Sequence, residues 1–352
     1  MSRNQAYIDL LVQVLAIPAL SREEETRAAF LEKWLKEEGF YIHRVKNNLV
    51  ISGKPSFEES TVLLNSHIDT VPPGEGWKTD PFLPVKEDGK ITGLGSNDAG
   101  ASAISLIAAY KGLVEKDISG NVVLVLSAEE EVSGKNGISS VLPLLGNLKF
   151  AVVGEPTGME PAVAERGLMV IDAEMMGLAG HAARNEGVNA IYKAMEDIRR
   201  IREIRFSDHS EWLADPSVNV TMIQSGTGHN TIPAKCSFVI DVRSNDRYTN
   251  ERLLEILKNQ CKSELNPRSL RLKSSFLDSE HPVYGILKQT GNNMFGSPTL
   301  SDMALLDIPA VKIGPGHSSR SHTANEYIFI REIDDAIDAY TELLEKIVNL
   351  KL

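Results

Sequence analysis

His67 and Asp69 stand two residues apart at the end of an apolar run, Thr61 to Leu64. In an extended chain, residues two apart point to the same side. His67 can then ligate a metal while Asp69 fixes its ring orientation. Other residues able to do the same chemistry lie far along the chain: Asp98, the acidic run Glu129-Glu130-Glu131, Glu155, and His317 or His322. Each has an ordinary reading of its own. Asp98 sits where a helix N-cap would, and three acids in a row suit a solvated helix start. Taken together they form an oxygen and nitrogen ligand set without sulfur, which suits zinc, with manganese or cobalt as substitutes. The set is too large for one catalytic zinc but large enough for two metals sharing a carboxylate. The two cysteines, Cys236 and Cys261, form no C-x-x-C pair and read as small buried apolar residues.

The elements expected to carry these residues alternate strand and helix. Helices are predicted over 3–16 and 21–38, the second opened by a capping box of Ser21 and Glu24 and stopped by Gly39. Strands are predicted over 41–51, 61–65, 121–126 and 149–153, and a helix over 99–115. His67, the acidic run and Glu155 each follow a strand end, where α/β sheets gather their ligands. From about Arg166 the pattern becomes strand 168–176, helix 187–204, strands 218–224 and 235–242, helix 249–261 and strand 270–276. That order, β-α-β-β-α-β, is the ferredoxin-like arrangement. Beyond it come a helix over 281–294, another opening at 299–302, a strand over 310–313 and a final helix from about Arg331 to the end.

A chain of 352 residues exceeds a typical single domain. The expected layout is an α/β catalytic domain, 1–164 and 277–352, interrupted by a smaller ferredoxin-like α+β domain, 165–276. A net charge of −11 argues against nucleic acid as a partner and favours gathering divalent cations. No apolar run approaches the ~20 residues that span a bilayer, and the N-terminal residues do not read as a signal peptide. A cytoplasmic protein, away from membranes, is the expectation.

The ordered set of motifs resembles the M20 metallopeptidase family, in its acetylornithine deacetylase and succinyl-diaminopimelate desuccinylase branch. The residues that carry it are His67-x-Asp69 with Val71-Pro72, Asn97-Asp98, Glu129-Glu130-Glu131 with Gly134, Glu155-Pro156, Gly180-His181, and His322-Thr323-x-Asn325-Glu326. The resemblance implies a zinc-dependent exopeptidase-like domain with a mixed, largely parallel sheet, and an inserted domain that forms a homodimer. It implies two divalent metal ions, zinc first and cobalt or manganese next. His67, Asp98 and Glu155 would hold one, and Asp98, Glu130 and His322 the other. Asp69 would orient His67, Glu129 would be the general base for the attacking water, and His181 would reach the oxyanion of a neighbouring subunit. Arg166, Asn230 and Arg243 match substrate-binding positions, and Gly314 and Gly316 would offer amides to a substrate carboxylate. The implied reaction is hydrolysis of an N-acyl amino acid, N-acetylornithine in arginine biosynthesis being preferred. N-succinyl substrates (succinylornithine, succinyl-diaminopimelate) come second, and di- or tripeptides third. Departures at Leu94, Ala99, Gly100 and Leu300 remove no ligand, but they bear on side-chain specificity.

Overall fold

The computed structural model describes residues 4–184 and 186–350. Arg3 and the last two residues, which the predicted terminal helices include, lie outside the described residues. The chain divides into two compact units: Met1–Val163, Leu277–Phe295 and Ser301–Leu352 form the first, and Ala164–Phe276 with Gly296–Leu300 the second. The expected boundaries near 164 and 276 lie close to these. The short 296–300 segment, expected in the first unit, belongs with the second.

In the first unit the runs predicted as buried strands pair side by side. Val62–His67 lies between Val122–Ser127 and Phe150–Val153, parallel to both, and Ala310–Lys312 runs parallel to Phe150–Val153. Every residue of Val122–Ser127 and Phe150–Val153 is buried. A parallel sheet needs apolar residues on both faces because both are covered. Register places His67 opposite Ser127, and Asn65 opposite Val153. The parallel strands therefore end together, and His67, the acidic run and Glu155 leave the sheet at one edge. The helix Ala101–Glu115 packs against the long terminal helix Ile330–Val348, and most of its residues are buried.

Several local expectations changed. The predicted strand 41–51 is a hairpin, Tyr41–Val45 with Asn48–Ser52, because Lys46 takes a φ of +55° in the turn. The predicted capping box at Ser21 and Glu24 does not form: helix Glu25–Glu37 has no side-chain cap. Ser21 Oγ instead donates to Asp69 Oδ2 at 2.7 Å, and Glu24 Oε1 accepts the amides of Arg22 and Glu129. The helix expected from Ala99 begins at Ala101, after a wide turn over Ser96–Gly100 that the Gly100 amide closes on the Gly95 carbonyl at 2.9 Å. The opening at 299–302 yields only a short 3-10 turn, Asp302–Leu305, capped by Ser301.

The second unit is a four-stranded antiparallel sheet in the order Ser217–Ser225, Lys235–Ser244, Gly167–Met176, Glu264–Pro267. This is the ferredoxin-like order. Gly167–Met176 alternates buried and less buried residues with period two. Its inward residues meet Phe238, Ile240, Val242, Leu253 and Leu257 in one core. Helices Ala190–Glu203 and Asn250–Gln260 are capped by the side chains of Asn189 and Thr249. The last strand of this sheet is Glu264–Pro267, not the predicted 270–276; only Ser275 and Phe276 of that stretch are strand, paired with Glu165 and Ala164. Among the described residues no helix is long and apolar enough to cross a membrane.

Candidate metal centre

His67 is fixed from behind. Its Nδ1 lies 3.0 Å from the Asp69 carbonyl oxygen and 3.5 Å from Asp69 Oδ1. That leaves Nε2 to face the sheet edge, where Asp98 Oδ1 is 3.1 Å away, Glu155 Oε1 3.8 Å and Glu130 Oε2 4.0 Å. The other oxygen of Asp98, Oδ2, lies 3.5 Å from His322 Nε2, and Glu131 Oε2 is 2.9 Å from the same nitrogen. So Asp98 presents one oxygen to each imidazole. Oxygen and nitrogen atoms of His67, Asp98 and Glu131 converge, as do those of His67, Glu130 and Glu155.

Two expected placements move by one residue. Glu131, which belongs to neither expected ligand set, stands beside Asp98 and His322, where Glu130 is expected. Glu130 stays in the cluster, on the His67 and Glu155 side. Glu129, expected as the general base, faces elsewhere: its carboxylate accepts the Asn136 side-chain amide at 2.8 Å and the Asn136 backbone amide at 3.3 Å. The cause is local. Glu129 has a φ of +55°, which turns the chain, and Asp69 accepts the next two amides, Glu130 at 3.0 Å and Glu131 at 3.2 Å. Asp69 thus holds the acidic turn as well as backing His67. Between the two candidate histidines, His317 caps its own turn through Ser319, and His322 joins the cluster.

The electrostatics are those of crowded, desolvated carboxylates. Burial pushes Glu130 well above its usual range despite His67, and burial with Asp98 nearby pushes Glu155 up to about 8. Burial opposes a charged His67, but Asp69 and Asp98 outweigh it and hold its pKa well above the ordinary value. Bonding to Glu131 raises His322 to about 9. A buried group of like charges needs positive charge among its members. This donor set fits a pair of divalent cations: hard oxygens with two imidazoles, and a carboxylate that can bridge.

Three supporting residues lay outside the expected site. Glu326 is buried and accepts the amides of Gly95, Asn97 and Asp98. Asp302 accepts Ser127 Oγ at 2.6 Å, and burial raises it to about 6. Arg27 lies buried below the centre and donates to the carbonyls of Ile17 and Ile68. Its signal was readable: Arg27, Leu31 and Leu35 follow at four-residue spacing, so the arginine shares the buried stripe of its helix.

The expected substrate residues fare unevenly. The Gly314 amide is engaged by Thr157 Oγ1 at 3.1 Å, which removes it as a donor to substrate. Gly316 has a φ of +84°, and a Cβ there would lie 2.2 Å from Asn97 Oδ1, so close packing accounts for this glycine. Arg166, Asn230, Arg243 and His181 belong to the second unit. There His181 pairs with Thr231, and the Asn230 carbonyl accepts the Ala182 amide. Arg243 is held bidentately by Asp241. Arg166 donates to the Asp215 carbonyl, while its Nε is buried without a partner among the described residues. Burial, then the nearby Arg243, lower its pKa.

A family model described as peptidase family M20/M25/M40 matches residues 63–346. A succinyl-diaminopimelate desuccinylase of Nautilia profundicola is 28% identical over 284 residues, 76% of each chain. An acetylornithine deacetylase of Proteus mirabilis is 25% identical across 96% of each chain. Among solved structures, a Bacillus subtilis protein described as a dinuclear metal-binding peptidase of the M20 family superposes with a TM-score of 0.73. It is 18% identical, and the match covers 98% of this chain and 99% of that one.

Proposed function

The chain belongs to peptidase family M20/M25/M40, and from that premise we propose that it hydrolyses the amide bond of an N-acyl amino acid, N-acetylornithine or a close analogue first. The observation that carries the reading is the split carboxylate of Asp98, one oxygen toward His67 and the other toward His322. His67, Asp98 and Glu155 are the proposed holders of one divalent ion, and Asp98, Glu131 and His322 of the second, zinc being the preferred metal. When bound, such a pair supplies Lewis acidity and a water with a pKa near ~7.

Neither ligand set uses Glu130, yet its carboxylate stays within the cluster. Glu130 is therefore the proposed general base: it accepts the proton of the attacking water and returns it to the leaving amine. This replaces Glu129 in that role. Asp69 keeps His67 oriented, so that its Nε2 would face a bound ion. His181 is proposed to stabilise the oxyanion of a partner copy, and the two copies are proposed to pair through the second unit.

A second reading, an N-succinyl substrate, is favoured by one observation. A succinyl group carries a carboxylate that needs a cationic partner, and the Nε of Arg166 has no partner among the described residues. Arg320 is a weaker candidate because Glu332 holds it bidentately and Tyr327 stacks on it. Kinetics on N-acetyl, N-succinyl and dipeptide substrates at one zinc loading separate these readings. We expect the highest kcat/KM on an N-acetyl amino acid, abolished by a chelator and restored by zinc. A metal-stripped protein of full activity would sink the proposal. Arg166→Ala should leave N-acetyl turnover within about tenfold and cost N-succinyl substrates more, about 2–5 kcal/mol if the arginine pairs with their carboxylate.

A further inference from the structure

Glu326 makes a set of contacts that no ligand role explains. Its Oε1 accepts the amides of Asn97 at 2.8 Å and Asp98 at 2.9 Å, and its Oε2 accepts that of Gly95 at 3.1 Å. Its own carbonyl accepts the Gly93 amide at 3.0 Å. The carboxylate is almost fully buried, at 2% exposure. The loop closes round it only because Gly95 takes a φ of +80°, where a Cβ would meet Thr70 Cγ2 at 2.6 Å. Burial raises its pKa to about 7, against the pull of those amide bonds toward the charged form; backbone amides wrapped round a carboxylate fix both partners whichever way that balance falls.

The loop so held carries Asp98, and the segment that holds it carries His322 four residues earlier. The strand after Glu326, Tyr327–Phe329, pairs with Lys90–Thr92 and continues the same attachment. Two stretches of chain more than two hundred residues apart are thus locked together at the Asp98 amide. We propose that Glu326 is the positioning residue for the bridging carboxylate Asp98, setting how tightly the pair of divalent ions is held. This rests on the two-metal reading above.

The test is metal titration of the purified full chain, following zinc affinity and the visible spectrum of the cobalt-loaded protein. Wild type comes first: binding of two ions per chain upholds the two-metal reading, and binding of fewer than two overturns that reading and the proposal that rests on it. Glu326→Gln keeps the reach but turns one acceptor into a donor facing amides. Glu326→Asp keeps the charge but shortens the arm. Both should weaken at least one ion by about 10–100-fold and shift the cobalt spectrum. Wild-type affinities and spectrum in both variants overturn the proposal. Weakening in Glu326→Gln alone overturns it too, since lost charge then suffices. Failure of both to fold assigns the residue to fold stability and likewise overturns it.

Discussion

Glu129, Glu130 and Glu131 are chemically identical and do three different things. Glu129 ties its own loop together through Asn136, Glu131 faces His322, and Glu130 lies on the His67 side. The division yields a prediction that separates neighbours. Glu130→Gln should lower kcat by about 10²–10⁴-fold, the range for removing a general base, with both metals still bound. Glu129→Gln should keep kcat within about tenfold and lose about 1–3 kcal/mol of stability from its buried hydrogen bonds. Paired kinetics, metal analysis and denaturant unfolding check both. A Glu129 variant as dead as the Glu130 variant would reverse the assignment. Sequence could name this cluster but not its register. Three equal residues carry no internal mark, and what sets them apart is a positive φ at Glu129 and the grip of Asp69, sixty residues earlier. His67, Asp98 and Glu155 have no equivalent neighbour to be confused with, whereas His322 is told from His317 only by the His322-Thr323-x-Asn325-Glu326 pattern. Glu326 was visible only as part of a motif, since its partners are backbone amides that no side-chain pattern reports.

At the scale of elements, the parallel strands were legible because both faces must be apolar, and uninterrupted runs such as Val122-Val123-Leu124-Val125-Leu126 have few other uses. Local signals failed where tertiary contacts claimed the same side chains. Ser21 and Glu24 have capping-box spacing, but Asp69 and the Glu129 amide take them instead. The Glu264–Pro267 strand has poor strand residues and exists because Glu174 to Ile171 lie ready to pair. Helix Glu25–Glu37 shows what such contacts hold. Arg27, buried with Leu31 and Leu35, bonds the carbonyls of Ile17 and Ile68 and so fastens the residue just past the His67 strand. Burial lowers its pKa to about 10, opposed by Asp69, Glu24 and Glu326, so it stays charged at neutral pH as their counter-ion. Arg27→Met should cost roughly 1–3 kcal/mol for each buried carbonyl, Ile17 and Ile68, left without its donor, with a further loss from removing a positive charge beside Asp69. Arg27→Lys should recover only part of that, since one ammonium lacks the planar fork that serves carbonyls on two segments. Denaturant midpoints of the three proteins decide it, and an unchanged midpoint for Arg27→Met would remove the counter-ion role.

At the scale of the whole molecule, the second unit leaves large apolar side chains uncovered on one helix and on the edge strand of its sheet. Ser217–Ser225 is the edge strand of its sheet, and helix Ala190–Glu203 packs against it. On the helix Tyr192 is 69% and Met195 56% exposed; on the strand Met222 is 65% and Ile223 55% exposed. Tyr192 and Met195 are three residues apart, so they share one helix face. An open edge beside such side chains is a place where another chain adds on, and the proposed occupant is a second copy of this chain. Each large side chain covered there contributes roughly 1.5–3 kcal/mol, enough in sum to offset much of the cost of association. Sedimentation should therefore find a dimer at micromolar concentration, and Tyr192→Glu combined with Met222→Glu should give a folded monomer. If His181 serves the partner's centre, that monomer binds its metals normally and turns over at least 100-fold more slowly. Mixing it with an Asp98→Ala protein would restore nothing, because the surface itself is lost, whereas mixing His181→Ala and Asp98→Ala proteins on the native surface should regain activity: some mixed dimers then join an intact centre to an intact His181. A fully active monomer would sever His181 from the reaction, and a wild type that sediments as a monomer would leave the exposed edge without its proposed partner.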